Sequence, residues 1–249
     1  IAFYYPKSNQ AFKYLNTTYH PIVTKIWKFK ALLGLIWSRF INDQDLALYL
    51  SIINKVKPEI IHIHGTENPF GCIIPNTNIP VVVSIQGCIT VYNHKFQNGF
   101  TKNDLRLSYF YRGRTFKEII RRRPFMRFWR EFRKMKTREL ANLSNTKYVI
   151  GRTDWDRRIS SVFAAQSRYY HGDEMLRDAF YERLWCRTRK DRVIVFSTSA
   201  NSTFKGFETI CEALFELNKV SDIYIEWQIA GVSIHDSIVK ITKRKLKNR

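Results

Sequence analysis

The stretch 57–71, KPEIIHIHGTENPFG, most constrains what this chain can fold into. Ile60, Ile61 and Ile63 supply nearly contiguous β-branched bulk, which suits a buried strand of a parallel sheet. His62 and His64 stand two residues apart and so share one face of that strand. The strand opens into Gly65, Thr66, Glu67, Asn68 and Pro69, a loop of turn-forming residues. In open α/β sheets, ligands gather at the carboxyl ends of strands. This loop is therefore the first candidate for function.

The flanking segments give the rhythm of a parallel sheet. Residues 44–55 read as a helix, with Leu46, Leu48, Leu50, Ile52 and Ile53 on its apolar side. A turn at 75–80 leads to a second buried strand, 81–85, which ends in Gln86 and Gly87. Helix, strand, connection, strand predicts neighbouring parallel strands at 59–64, 81–86 and 146–150. Residues 104–142 read as mostly helical and very basic. Gly151, Arg152 and Thr153 follow the third strand, with Thr153 placed to cap a helix over 154–163. Residues 174–187 read as a connection. A fresh strand at 192–198, a polar loop, an amphipathic helix at 207–217 and a strand at 223–230 restart the rhythm. The expected domains are 1–188, incomplete at its start, and a partial 189–249. The latter has about two strands, fewer than a sheet of ordinary size.

Composition narrows the partners. The 249 residues are 45% apolar, which supports a proper core and argues against disorder. The formal charge is +21, from 42 Lys+Arg against 21 Asp+Glu. Such an excess predicts attraction to nucleic acid, an acidic membrane surface or phosphorylated ligands. Cys72, Cys88, Cys186 and Cys211 form no CxxC pair and read as reduced thiols of a cytosolic protein. No apolar run reaches the ~18 residues of a membrane span. The start inside a strand-like IAFYYP and the basic end KITKRKLKNR suggest a piece of a longer protein.

Taken in order, IIHIHGTENPFG, VVVSIQG, YVIGRTDWDRR, and VIVFSTSANSTFKGFETICEAL followed by WQIAG resemble segments of glycosyltransferases with two facing Rossmann-like domains. This is the GT-B architecture, and the likeness is to the large retaining family 4, also called group 1. It covers most of residues 50–231. It implies an α/β fold of GT-B type: a Rossmann-like parallel-sheet acceptor domain, then the beginning of a second, donor-binding one. It also implies transfer of a sugar from a nucleotide-sugar donor to a glycan or lipid-linked acceptor, with retention, in a cleft between domains. Such work serves polysaccharide or glycoconjugate synthesis on the cytoplasmic side of a membrane. No cofactor and no metal are expected, since the nucleotide-sugar is a substrate.

Residue by residue, the resemblance implies two sets. Lys205 and Gly206 match the family's Lys-Gly at the start of the first donor-domain helix, where the lysine meets the donor phosphates. A helix N-terminus with a lysine is an anion site. A fixed cation beside the charge growing on the leaving diphosphate lowers the barrier. Ser199 and Asn201 stand where the family often carries an arginine, and offer a hydroxyl and an amide to the donor instead. On the acceptor side, the cleft candidates are His64, Gly65, Thr66, Glu67, Asn68, Gln86, Gly87, Arg152 and Thr153. Gln86 replaces a histidine common in the family. The family's paired donor-site glutamates have no counterpart after Gly231. No catalytic residue is assigned, because no pair of carboxylates suits a double displacement.

Several residues have two readings. His62 and His64 resemble a metal pair, but no carboxylate and cysteine set accompanies them. His62 reads as structural; His64 reads as a site residue or as part of the sheet. Glu67 reads as a base, as an acceptor-orienting group, or as a cap on loop amides. The segment 153–156 reads as a cleft loop or as a capped helix start. In 106–138, a run of arginines and lysines is opposed only by Glu118 and Glu131. Phe125, Phe128, Trp129 and Phe132 fall on one helix face there. That combination suits an anionic membrane surface, about 1 kcal/mol per basic residue. It equally suits aromatics packed on a core beneath solvated arginines. No nucleic-acid motif is visible. The alternative function is a non-catalytic basic module docking on anionic membrane or RNA.

Overall fold

Runs of β-branched residues put strands at 61–64, 81–84 and 193–198 where the sequence predicts them, and the loops after them set the candidate site. The structure is a computed structural model that describes residues 1–4, 10–22, 43–97, 99–107, 125–182, 184, 186 and 192–247. In chain order it begins with β1 (Ala2–Tyr4), β2 (Phe12–Tyr14), β3 (Thr17–Ile22), α1 (Asp43–Val56) and β4 (Ile61–His64). A 3-10 segment at Pro69–Asn76, β5 (Val81–Ser84), α2 (Ile89–His94), α3 (Lys102–Leu107) and α4 (Phe125–Ser144) follow. Then come β6 (Tyr148–Gly151), α5 (Asp154–Phe163), β7 (Arg168–His171) and β8 (Val193–Thr198). The last described elements are α6 (Phe207–Val220), β9 (Ile225–Ala230) and α7 (Ser237–Lys247).

Two compact units result. The first joins Ile1–Cys88 to Thr137–Asp173. Its main sheet has the order β4-β5-β6-β7, and all three pairings are parallel. The three strands expected to be neighbours are therefore neighbours, in one sheet. Ile63, Val81, Val83 and Val149 are buried on its covered face. Ile22 and Tyr49 join Ile63, Val81 and Val83 in one core cluster, while Leu143 of α4 and Ala164 join Val149 and Ile85 in another. A smaller sheet, β1-β3-β2, pairs β1 parallel and β2 antiparallel to β3. Between the loop after β4 and the bend that leads into β5, the connection carries a 3-10 segment that the sequence reading does not include. Pro75 inside the segment lacks the N–H that an α-helix would use there, and a side chain at Gly71 would run into Asn142.

The second unit joins Ile89–Lys136 to Glu174–Arg249. Its core unites Phe96, Phe100, Leu105, Phe125 and Phe132 with Phe207, Ile238 and Ile241. Phe96, Phe100, Leu105, Phe125 and Phe132, which the α/β rhythm assigns to the first domain, thus share a core with the segment after 189. Compactness divides the chain differently from that rhythm, because these aromatic side chains meet α6 and α7. The sheet of this unit is β8-β9, parallel, from Val193↔Ile225 to Thr198↔Ala230. Val193, Ile194, Val195 and Phe196 are all partly exposed, Phe196 at 64%.

The aromatic stripe of the basic region is settled in part. Phe125 and Phe132 are buried and Trp129 packs against the same core. These rings serve the fold, as the core-packing reading expects, while Arg130, Arg133 and Lys134 stay exposed. Arg121, Arg122, Arg123 and the Phe128 side chain lie outside the described residues. Among the described residues, no helix is long and apolar enough to cross a membrane.

Candidate functional site

In the first unit, parallel strands in sequential order bring the loops after β4, β5 and β6 to one edge of the sheet. The loop 65–68 and the pair Gln86-Gly87 therefore lie side by side, as the sequence predicts. Gly65 N–H donates to the Ser84 carbonyl at 3.0 Å, tying the end of β4 to β5. Gly65 has φ +82, a left-handed backbone that favours glycine at this turn. The Thr66 hydroxyl is shared between the Gly87 carbonyl at 3.1 Å and Glu139 Oε1. Arg138 Nη2 donates to the Glu67 carbonyl at 2.5 Å. The Glu67 side chain itself is exposed.

The third loop belongs to the same edge. Arg152 Nη2 donates to the Gln86 carbonyl at 3.3 Å, bridging the loops after β5 and β6. Asp156 Oδ2 accepts from the Arg152 and Thr153 amides at 2.8 and 3.1 Å, and Thr153 Oγ1 accepts from the Asp156 amide at 3.2 Å. This is a capping box, the helix-start reading of 153–156. Tyr169 from β7 donates its hydroxyl to the Thr153 carbonyl at 3.2 Å, and burial pushes that phenol upward in pKa.

His62 and His64 are both exposed on one face of β4, and they differ in their partners. His62 Nε2 lies 2.5 Å from Ser84 Oγ, a bond within the sheet. Burial first, and the neighbouring His64 second, hold its imidazole below the ordinary value. His64 is exposed at the end of β4, its ring 6.1 Å from that of His62.

Glu139 is the residue sequence reasoning missed. It is 1% exposed, in a helix dominated by arginine and lysine. Its Oε1 receives the Thr66 hydroxyl and its Oε2 the Cys88 thiol at 3.4 Å. The available signal was its spacing from Phe132, Met135 and Leu143, which places it on the apolar face of α4.

In the second unit, the loop 199–206 leaves the carboxyl end of β8. Gly206, φ +68, is the N-cap of α6 and has no side chain to cap it, while the buried Glu208 carboxylate in the first turn accepts from its own amide. Lys205 is exposed, with Nζ 5.8 Å from the centroid of the Phe204 ring. Asn201 Oδ1 accepts from the Ile238 amide at 3.0 Å, so this side chain holds the start of α7. The Ser199 amide donates to the Ala230 carbonyl at 2.9 Å, and a side chain at Gly231 would meet the Ser199 carbonyl. The Ser199 and Ser202 hydroxyls are buried with no hydrogen-bond partner among the described residues. The N-terminus of α6, two buried hydroxyls and an exposed lysine thus belong to one loop, groups that suit an oxyanion, with the Glu208 carboxylate buried in the first turn beside them. No family model matches this chain, and no curated protein matches it.

Proposed function

We propose that this chain belongs to a glycosyltransferase that moves a sugar from a nucleotide-sugar donor to a glycan or lipid-linked acceptor. The observation that carries the reading is the loop 199–206, where Lys205 and Gly206 open α6 without a side-chain cap. The leaving nucleoside diphosphate gains negative charge as the glycosidic bond breaks. The amides of a helix start and a lysine ammonium stabilise that charge more in the transition state than in the ground state. The edge formed by 64–68, 86–87 and 152–153 in the first unit offers hydroxyl, amide and carboxylate groups to a sugar acceptor. The motif order 60–87, 148–158 and 193–231 supports the GT-B, family 4 assignment and a retaining outcome. A cytoplasmic, membrane-peripheral setting fits the +21 charge and the exposed Arg130, Arg133 and Lys134.

The same charge supports a second reading, a non-catalytic basic module docking on anionic membrane or RNA. A donor screen separates the two. Turnover of any UDP-, GDP- or ADP-sugar, as transfer or hydrolysis, supports the enzyme. Inertness toward every donor, with salt-sensitive binding to vesicles or RNA, supports the module.

A further inference from the structure

We propose that Glu139 is a positioning residue whose carboxylate fastens the loop after β4 to the loop after β5. It thereby fixes the wall on which the acceptor sits. The acceptor part rests on the glycosyltransferase reading; the fastening itself does not. Glu139 is 1% exposed, so no substrate reaches it, and its effect passes through the residues it holds.

The geometry joins loops that are far apart in sequence. Oε1 receives the hydroxyl of Thr66, one residue beyond the turn at Gly65. Oε2 receives the thiol of Cys88, one residue beyond Gly87, at 3.4 Å. Both Thr66 and Cys88 are buried. The Thr66 hydroxyl also faces the Gly87 carbonyl at 3.1 Å, so each loop touches the other and the carboxylate as well. Arg138, next along α4, donates to the Glu67 carbonyl at 2.5 Å. Consecutive residues of one helix therefore grip consecutive residues of one loop.

The choice of a carboxylate has a chemical reason. A carboxylate is an acceptor with two oxygens, so it receives from two separate chain segments at once. An apolar residue would fill the same space and hold neither loop. An amide would keep one acceptor and turn a donor toward the thiol. Burying a carboxylate is costly unless its oxygens are satisfied, and here one donor to each oxygen comes from a loop of the candidate acceptor edge. The result is a site preorganised by its support, not by its exposed residues alone.

Hydrogen exchange at the amides of 65–68 and 86–88 tests the fastening in the intact chain. Glu139→Ala should speed exchange in both loops together, by about tenfold, and leave the amides of β7 unchanged. If that variant does not fold, Thr66→Val and Cys88→Ala carry the test. Each should loosen its own loop, and adding Glu139→Gln to either should give less than the product of the separate effects. Unchanged exchange in both loops for Glu139→Gln and for the two single variants would overturn the proposal. In the transfer assay, Glu139→Gln should raise the acceptor KM several-fold and leave donor KM and donor hydrolysis at wild-type values. Equal damage to donor and acceptor kinetics would also overturn a positioning role. If the wild-type chain turns over no donor, the glycosyltransferase reading fails while the exchange data still decide the fastening.

Discussion

Replacing Phe132 by alanine separates the two roles that a basic helix with aromatic residues can play. Phe132 is 4% exposed, and its ring centroid lies 5.5 Å from that of Phe96 and 5.4 Å from that of Phe204. Removing a buried phenylalanine ring costs about 3–5 kcal/mol, from lost transfer free energy and the residual cavity. Two edge and tilted aromatic contacts place this site toward the upper part of that range. Against a typical domain stability of roughly 5–15 kcal/mol, the loss is large. Urea unfolding followed by tryptophan fluorescence should show it, with Trp129 packed against the same core as a nearby reporter. Binding to anionic vesicles, measured in parallel at about 0.15 M salt, should change little in the folded fraction of the variant. A destabilisation below about 1 kcal/mol together with lost vesicle binding would refute the argument. That result would mean the ring serves a membrane surface rather than the core.

Glu208 gives a pH-dependent prediction. Burial, the largest influence, raises its carboxyl above the ordinary value, against smaller lowering by the backbone and Lys245. A raised folded-state value means its favourable contribution is complete below the unfolded value and is lost as pH rises through the folded one. Glu208→Gln should therefore gain thermal stability over wild type near neutral pH, and the gap should close toward about pH 4; a gap that widens on acidification would contradict the sign. Asp156→Ala removes the acceptor for the Arg152 and Thr153 amides and should cost about 1–2 kcal/mol, read by thermal or urea unfolding. Gly65→Ala forces a side chain onto a backbone at φ +82 and should cost about 1–2 kcal/mol, with weakened acceptor binding if the edge is the acceptor site.

The parallel sheet was legible because 60–64, 81–85 and 148–150 carry β-branched residues with little polar interruption. Strand β7 was not, because Arg168, Tyr169, Tyr170 and His171 have no such run and join the sheet only through β6. Helix α7 was hidden by its charge: Ile238 and Ile241 reach the core while Lys243, Arg244 and Lys247 face outward. The placing of 89–136 in the second unit depends on which aromatic residues meet across long sequence distances, which local pattern does not encode. Of the candidate site, the loop edge and its glycine followed from strand order and turn chemistry. The hydrogen bond from the Ile238 amide to Asn201 Oδ1 is not legible in the sequence, because it joins residues far apart along the chain. Glu139 was lost in a basic run because its partners come from two other loops.

Initial rates with nucleotide-sugars, for wild type and Lys205→Ala side by side, test the central claim most directly. The account predicts turnover of at least one UDP-, GDP- or ADP-sugar by the wild-type protein. Lys205→Ala should then lose about 2–4 kcal/mol of transition-state stabilisation with every donor accepted, because the diphosphate is common to all. Equal kcat/KM for the two proteins, in a correctly folded variant, would contradict the placing of donor phosphates at the start of α6. No turnover of any donor by wild type would contradict the glycosyltransferase assignment itself.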